Sequence, residues 1–155
     1  FLGKVKIRHQ AELNFASQIN AGHKRLLDIR DGNGIHGFRP DSLWGAQRLV
    51  FRTETVWFTP LKLAGFHFAP VTRVDLAYLA KANRVLFQKQ NFYSGFSAAL
   101  RARNENLIFN TVEARVYYYP KTIEALEPFR FEFRTNLRIK YPTNLITAPA
   151  TVYDP

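Results

Sequence analysis

The chain alternates. Over residues 4–15, Val5, Ile7, Ala11, Leu13 and Phe15 share one parity, while Lys4, Lys6, Arg8, Gln10, Glu12 and Asn14 share the other. A period of two held over that distance predicts a strand with one apolar and one polar face. His9 is the only polar group on the apolar face. The pattern returns at 48–58, where Leu49, Phe51 and Trp57 oppose Arg48, Arg52 and Glu54. It returns at 66–78, where Phe66, Phe68, Val74 and Leu76 oppose Arg73 and Asp75. Further strands are predicted at 92–102, 108–119 and 129–140, the last with the strictest alternation: Phe129, Phe131, Phe133, Leu137 and Ile139 against Arg130, Glu132, Arg134, Arg138 and Lys140. Pro70 lies inside the third strand and lacks a ladder donor, so a bulge or local break is expected there. No segment has a 3.6-residue period.

The connections alternate in length. Those at 59–65 and 103–106 are short turns; those at 79–91 and 120–128 are long, the latter with room for one helical turn at 122–126. The first connection, 20–45, is roughly 26 residues, whereas hairpin loops need about 2–5. Its centre reads Asp31-Gly32-Asn33-Gly34-Ile35-His36-Gly37-Phe38-Arg39-Pro40. Three glycines within six residues are turn chemistry, because glycine tolerates positive φ. The segment after Tyr141-Pro142 has no clear period.

Charge enters next, because its placement changes the picture. The net charge is +10, which by itself points to nucleic acid or an anionic surface. Yet Arg and Lys are threaded through strands on the polar parity, with Glu12, Glu54, Asp75, Glu113 and Glu132 among them. That is an ion-paired sheet face rather than a phosphate footprint, so nucleic acid is not expected as a partner. At 46% apolar and 15% aromatic residues the chain is not compositionally disordered. With no cysteine there is no disulfide framework. There is no methionine either, even at position 1, and a piece of a longer or processed precursor is expected.

Two architectures use a sheet with one wet and one greasy face. A soluble lipocalin-like barrel binding a small apolar ligand turns the greasy face inward; a transmembrane barrel turns it to lipid. The predicted strands are 11–13 residues long, against about 5–6 for ordinary strands and about 9–11 for crossing a bilayer. Short and long connections alternate, as in outer-membrane barrels. Aromatic residues gather near strand ends, at Trp57, Phe58, Tyr78, Phe92, Tyr93, Tyr117, Tyr118, Tyr119 and Tyr141, where a membrane interface would hold them. These features favour an all-β, antiparallel transmembrane barrel in an outer membrane, in contact with its lipid. Six strands are too few to close, since about eight are needed, so the rest of the barrel is expected elsewhere in a longer chain.

The residues Gly34-Ile35-His36-Gly37-Phe38-Arg39-Pro40, followed by a strand carrying Glu54 and then one carrying Asp75, resemble the outer-membrane assembly superfamily of bacterial surface antigens. That superfamily includes barrel-assembly insertases and two-partner secretion transporters. Its signature is a Val/Ile/Leu-Arg-Gly-Phe/Tyr tetrapeptide in the sixth extracellular loop, which folds into the lumen so that its Arg meets a strand Asp. Ile35, Gly37 and Phe38 match the tetrapeptide; His36 stands where the family has Arg. Asp75 matches the strand Asp, flanked by Arg73 and Ala77 where the family prefers Phe and Gly, and Glu54 matches an inward Glu.

The resemblance implies that residues 1–140 are the last six of sixteen strands, with 20–45 as the sixth extracellular loop and 141–155 as a tail. It implies long loops outside the bacterial cell, upstream periplasmic domains, accessory lipoproteins as partners, and insertion or export of client outer-membrane or secreted proteins. The candidate site is therefore Ile35, His36, Gly37, Phe38 and Arg39 in the loop, with Asp75, Glu54, Arg52 and Arg73 as luminal partners. Three groups compete for the role of the family Arg: the His36 imidazole, Arg39 and Arg73. No enzyme is expected. His9, His23, His36 and His67 lack metal-ligand spacing, there is no Gly-x-Ser-x-Gly and no phosphate-binding loop, and no cofactor is expected.

Overall fold

The computed structural model describes residues 4–18, 26–30, 32, 34–39, 43–81, 85–104, 109–121 and 127–137. The expected helical turn at 122–126, the end of the last strand at 138–140 and the tail at 141–155 lie outside the described residues. The chain is all-β: β1 Lys6–Ser17, β2 Gln47–Phe58, β3 Lys62–Leu63, β4 Phe66–Ala80, β5 Phe92–Arg103, β6 Phe109–Tyr118 and β7 Phe129–Leu137. These seven strands form one open antiparallel sheet in the order β1-β2-β4-β5-β6-β7, with β3 paired to β4. The short connection 59–65 thus carries a two-residue strand of its own. One short 3₁₀ turn, Lys89–Asn91, precedes β5.

Pairing is continuous through Pro70, which sits opposite Leu100 of β5, so the expected bulge is absent. The reason is positional. On the other side of β4, pairing with β2 ends at Val71 and pairing with β3 begins at His67. Pro70 occupies the gap, where no ladder donor is required. Among the described residues, the pairing of β6 with β7 shifts register between Phe109 and Thr111.

Register places residues of one parity in rows across the sheet. One row runs Gln10, Glu54, Arg73, Ser97, Tyr117, Arg130. A second runs Glu12, Arg52, Asp75, Gly95. A third, Arg8, Val56, Val71, Ala99, Arg115, Glu132, separates the charges with small apolar side chains. Arg8 of the first strand and Arg134 of the last both line one cavity of about 840 Å³. Six strands laid flat would separate those edges by roughly 24 Å at about 4.8 Å per strand. The sheet therefore curls, with its charged face on the inside.

The opposite face is apolar and bare. Ile7, Leu13, Phe15, Phe51, Phe96, Leu100, Val116, Phe129, Phe131 and Phe133 all lie on it and are exposed, Leu13 at 70% and Phe131 at 67%. A small polar cluster interrupts it: His9, whose Nδ1 bonds Thr55 at 2.8 Å and whose Nε2 bonds Thr53 at 3.1 Å. The buried core lies on the charged side instead, where the long first connection covers the sheet. Ile29, Ile35 and Phe38 pack there on Val50, Ala77, Leu79, Tyr93, Tyr117 and Tyr119.

Candidate functional site

The loop between β1 and β2 is pinched at its base. Leu27 and Gly45 exchange backbone hydrogen bonds of 2.8 Å in an isolated bridge. Ala46 donates to the Ala80 carbonyl at 2.7 Å, which fixes the base to the end of β4. Arg48 of β2 donates to the Asp28 carbonyl at 2.9 Å and to Asn14 Oδ1 at 3.3 Å. Inside this base the chain folds on itself, with Gly34 N–H bonded to Arg30 O at 2.7 Å and Ile35 N–H to Ile29 O at 3.1 Å. The guanidinium of Arg30 lies 4.6 Å from the Trp44 ring centroid, a cation–π contact.

The tetrapeptide Ile35–Phe38 then lies on the curled inner face. Ile35 is 0% and Phe38 1% exposed. Full burial of two such side chains is worth about 1.5–3 kcal/mol each. Phe38 meets Tyr119 at 5.2 Å and Tyr93 at 6.4 Å between ring centroids, both tilted. Ile35 fits because the facing residue of β5 is Gly95: a Cβ there would stand 2.5 Å from Ile35 Cγ2.

Between these anchors the main chain is held by side chains of two strands and of the exit from a third. Asp75 Oδ2 of β4 accepts from the His36 N–H at 2.9 Å. Tyr119, just beyond β6, donates its hydroxyl to the His36 carbonyl at 3.0 Å. Arg130 of β7 donates from Nη1 to the Gly37 carbonyl at 2.7 Å. Gly37 has φ +70°, and a Cβ on it would approach the Tyr119 hydroxyl to 2.7 Å and the Tyr117 ring to 3.0 Å. Glycine is thus required there twice, by conformation and by space.

This geometry changes the expected chemistry at His36. Asp75 takes the His36 backbone N–H, not the imidazole; the ring instead sits 5.8 Å from that of Tyr117. The cation on Asp75 is Arg73, whose Nε lies 3.0 Å from Oδ1 and 3.3 Å from Oδ2. Arg39 is exposed, and the hydrogen bonds of Asp75 go to His36 and Arg73. Of the three groups weighed for the Arg role, the strand residue Arg73 holds the carboxylate. The loop has no need of a cation, because its peptide groups are the ones recognised.

Asp75 is only 3% exposed and belongs to a larger lattice. Glu54 lies 3.8 Å from Arg73, 3.8 Å from Arg115 and 4.0 Å from Arg8. Arg115, itself 3% exposed, pairs with Glu113 at 2.8 Å and donates to Ser97 at 3.1 Å. Glu113 also pairs with Arg101 at 2.7 Å. Arg52 pairs with Glu12 at 3.8 Å. Tyr117 donates to Glu132 at 2.6 Å, and Glu132 pairs with Arg134 at 3.0 Å. Ion pairs therefore link β1, β2, β4, β5 and β6, and the Tyr117 hydroxyl joins β7 to them, at a cost in desolvation that only mutual pairing offsets. Among the described residues no group of three or more His, Asp or Glu is placed to hold a metal ion.

At the long-connection end, Lys121 ties the edge of β5 to the exit from β6. Its ammonium donates to the carbonyls of Gln90 and Phe92 and lies 4.0 Å from the Tyr93 ring centroid. Burial lowers its pKa from the ordinary lysine value.

Five residues that receive the loop were absent from the sequence-based site: Tyr93, Gly95, Tyr117, Tyr119 and Arg130. Two signals for them existed. Gly95 is a glycine inside a long strand on the polar parity, where a close approach by another segment is the usual reason. Tyr117 shares that parity with Glu113 and Arg115, so it faces inward. Tyr93, Tyr117 and Tyr119 are accordingly buried under the loop, not part of an aromatic belt. Arg130 carried no signal separating it from the other arginines of its strand. No protein-family description, no characterised protein and no solved structure matches the chain.

Proposed function

We propose that this sheet is part of a transmembrane β-barrel of a bacterial outer membrane, with the bare apolar face toward lipid and the loop docked in the lumen. In this reading it acts in the insertion or export of proteins, as the resemblance to the outer-membrane assembly superfamily implies. The observation that carries it is which face is covered. The loop and the cavity lie on the charged face, while the phenylalanine-rich face is left open (Phe51, Phe96, Phe131 and Phe133 are all exposed). An apolar face of that extent is stable against hydrocarbon and costly against water. A lipocalin-like carrier needs the reverse, an apolar interior, and here the interior is lined by guanidinium groups. The remaining strands of a closed barrel would pair with the edges β1 and β7, because no backbone edge is tolerated in lipid.

The docked loop gives the mechanism its switch. Asp75, Tyr119 and Arg130 hold the loop from β4, the exit of β6, and β7, so release of the loop loosens the last strand from its neighbours' shared ligand. The test is Asp75→Ala in the full-length protein, with assembly or secretion of its client measured beside protease access to the loop. The proposal expects the loop to open and client handling to fall. If neither changes, the latch has no part in the function.

A further inference from the structure

The inner cavity below the docked loop is a site of its own. It lies toward the short-turn end of the sheet, and its wall holds six arginines: Arg8, Arg73, Arg101, Arg103, Arg115 and Arg134. Only two carboxylates, Glu54 and Glu113, line it. Asp75 and Glu132 pair with Arg73 and Arg134 from outside the wall, and the wall itself carries six guanidinium groups to two carboxylates. Lys6 and Lys62 stand at the same end, where β1 begins and β3 lies. Fields of one sign are focused in a concave site with low-dielectric walls.

The rest of the lining decides what kind of anion fits. Thr111 brings a hydroxyl to the wall, Thr59 spends its proton on the Phe68 carbonyl at 2.6 Å and keeps only acceptor capacity, and Phe58 offers an exposed ring at the mouth. A volume of about 840 Å³ is far larger than an inorganic anion needs. The wall already pairs guanidinium with carboxylate, as Arg101 and Arg115 do on Glu113 at 2.7 and 2.8 Å. The geometry extends that lattice to carboxylates from another chain, and arginine matches them bidentately.

We infer that this cavity receives an acidic, extended peptide segment, entering at the short-turn end. The inference goes beyond the proposed function and rests on it only for taking the partner to be a polypeptide client. Binding is read from the detergent-solubilised full-length protein, whereas client handling and protease access to the loop test that function, so either can fail alone. The probe is a fluorescein-labelled deca-glutamate peptide followed by anisotropy. Binding is expected to weaken steeply as salt is raised. The double substitution Arg8→Gln, Arg103→Gln at the exposed mouth is expected to weaken it roughly fivefold or more. The pair Lys81→Gln, Lys89→Gln at the opposite end should leave it within twofold. Both pairs sit at exposed positions, and Arg103→Gln alone serves if the double variant does not fold. Absence of binding overturns the inference. So does an equal loss in both pairs, which marks diffuse attraction to a basic surface, or equal binding of a ten-residue oligothymidylate, which marks a general polyanion site.

Discussion

At the scale of single residues, the docked loop is recognised through its backbone. His36 contributes its N–H to Asp75 and its carbonyl to Tyr119; its ring packs near Tyr117. His36→Ala removes a tilted ring contact worth about 0.5–1.5 kcal/mol and leaves the main-chain bonds in place. Asp75→Ala leaves Arg73 without its 3.0 Å partner and the His36 N–H without an acceptor. Arg73 keeps Glu54 at 3.8 Å, so what docking loses is the hydrogen bond of the His36 N–H to a buried carboxylate, about 1.5–3 kcal/mol. Since 1.4 kcal/mol is about a factor of ten, trypsin cleavage after Arg30 should accelerate roughly ten- to a hundredfold in Asp75→Ala. In His36→Ala it should stay within about tenfold. Equal acceleration in the two variants contradicts recognition through the backbone. Gly95 supplies a second test. Gly95→Ala sets a methyl 2.5 Å from Ile35 Cγ2, so it should open the loop. Ile35→Ala, which removes that atom, should restore part of the docking in the double variant. Strict additivity in this cycle would mean the two residues do not meet.

At the scale of elements, alternation carried most of the information. The six long strands follow from period two, with ends within two or three residues of the pattern where both can be compared. Register then follows, because a one-residue slip would put Phe129, Phe131 and Phe133 among the arginines. What pattern could not supply was the division of the inner face. Tyr93, Tyr117 and Tyr119 look like interface aromatics in one dimension, and only the returning loop turns them into a receptor. Pro70 misleads for a related reason: whether a missing donor matters depends on which neighbour ends beside it. The element-scale prediction concerns the bare face. Phe131→Lys should destabilise the full-length protein in lipid vesicles by about 2–4 kcal/mol if that position lies near the bilayer midplane. A urea titration of the vesicle-inserted protein reads this. A change under 0.5 kcal/mol, the ordinary cost of a solvent-exposed surface substitution, would mean that Phe131 does not face lipid.

At the scale of the whole molecule, the +10 charge and the greasy face are two sides of one sheet. The charges are gathered on the concave side, where the loop, the lattice around Glu54 and Glu113 and the cavity lie together. Fold class was legible because every strand repeats the same two-sided code. Which side is inner was not, since alternation is symmetric under exchange of faces; the curl and the covered side decide it. The chain has no cysteine, so single cysteines placed along β5 are unique labels within it. The most direct test spin-labels positions 96 to 101 one at a time in the membrane-inserted full-length protein. Collision with lipid-soluble oxygen is then compared with collision with a water-soluble nickel complex. The account predicts oxygen maxima at Phe96, Ala98 and Leu100, with the nickel complex favoured at Ser97, Ala99 and Arg101. The opposite phase, or no alternation at all, would contradict it.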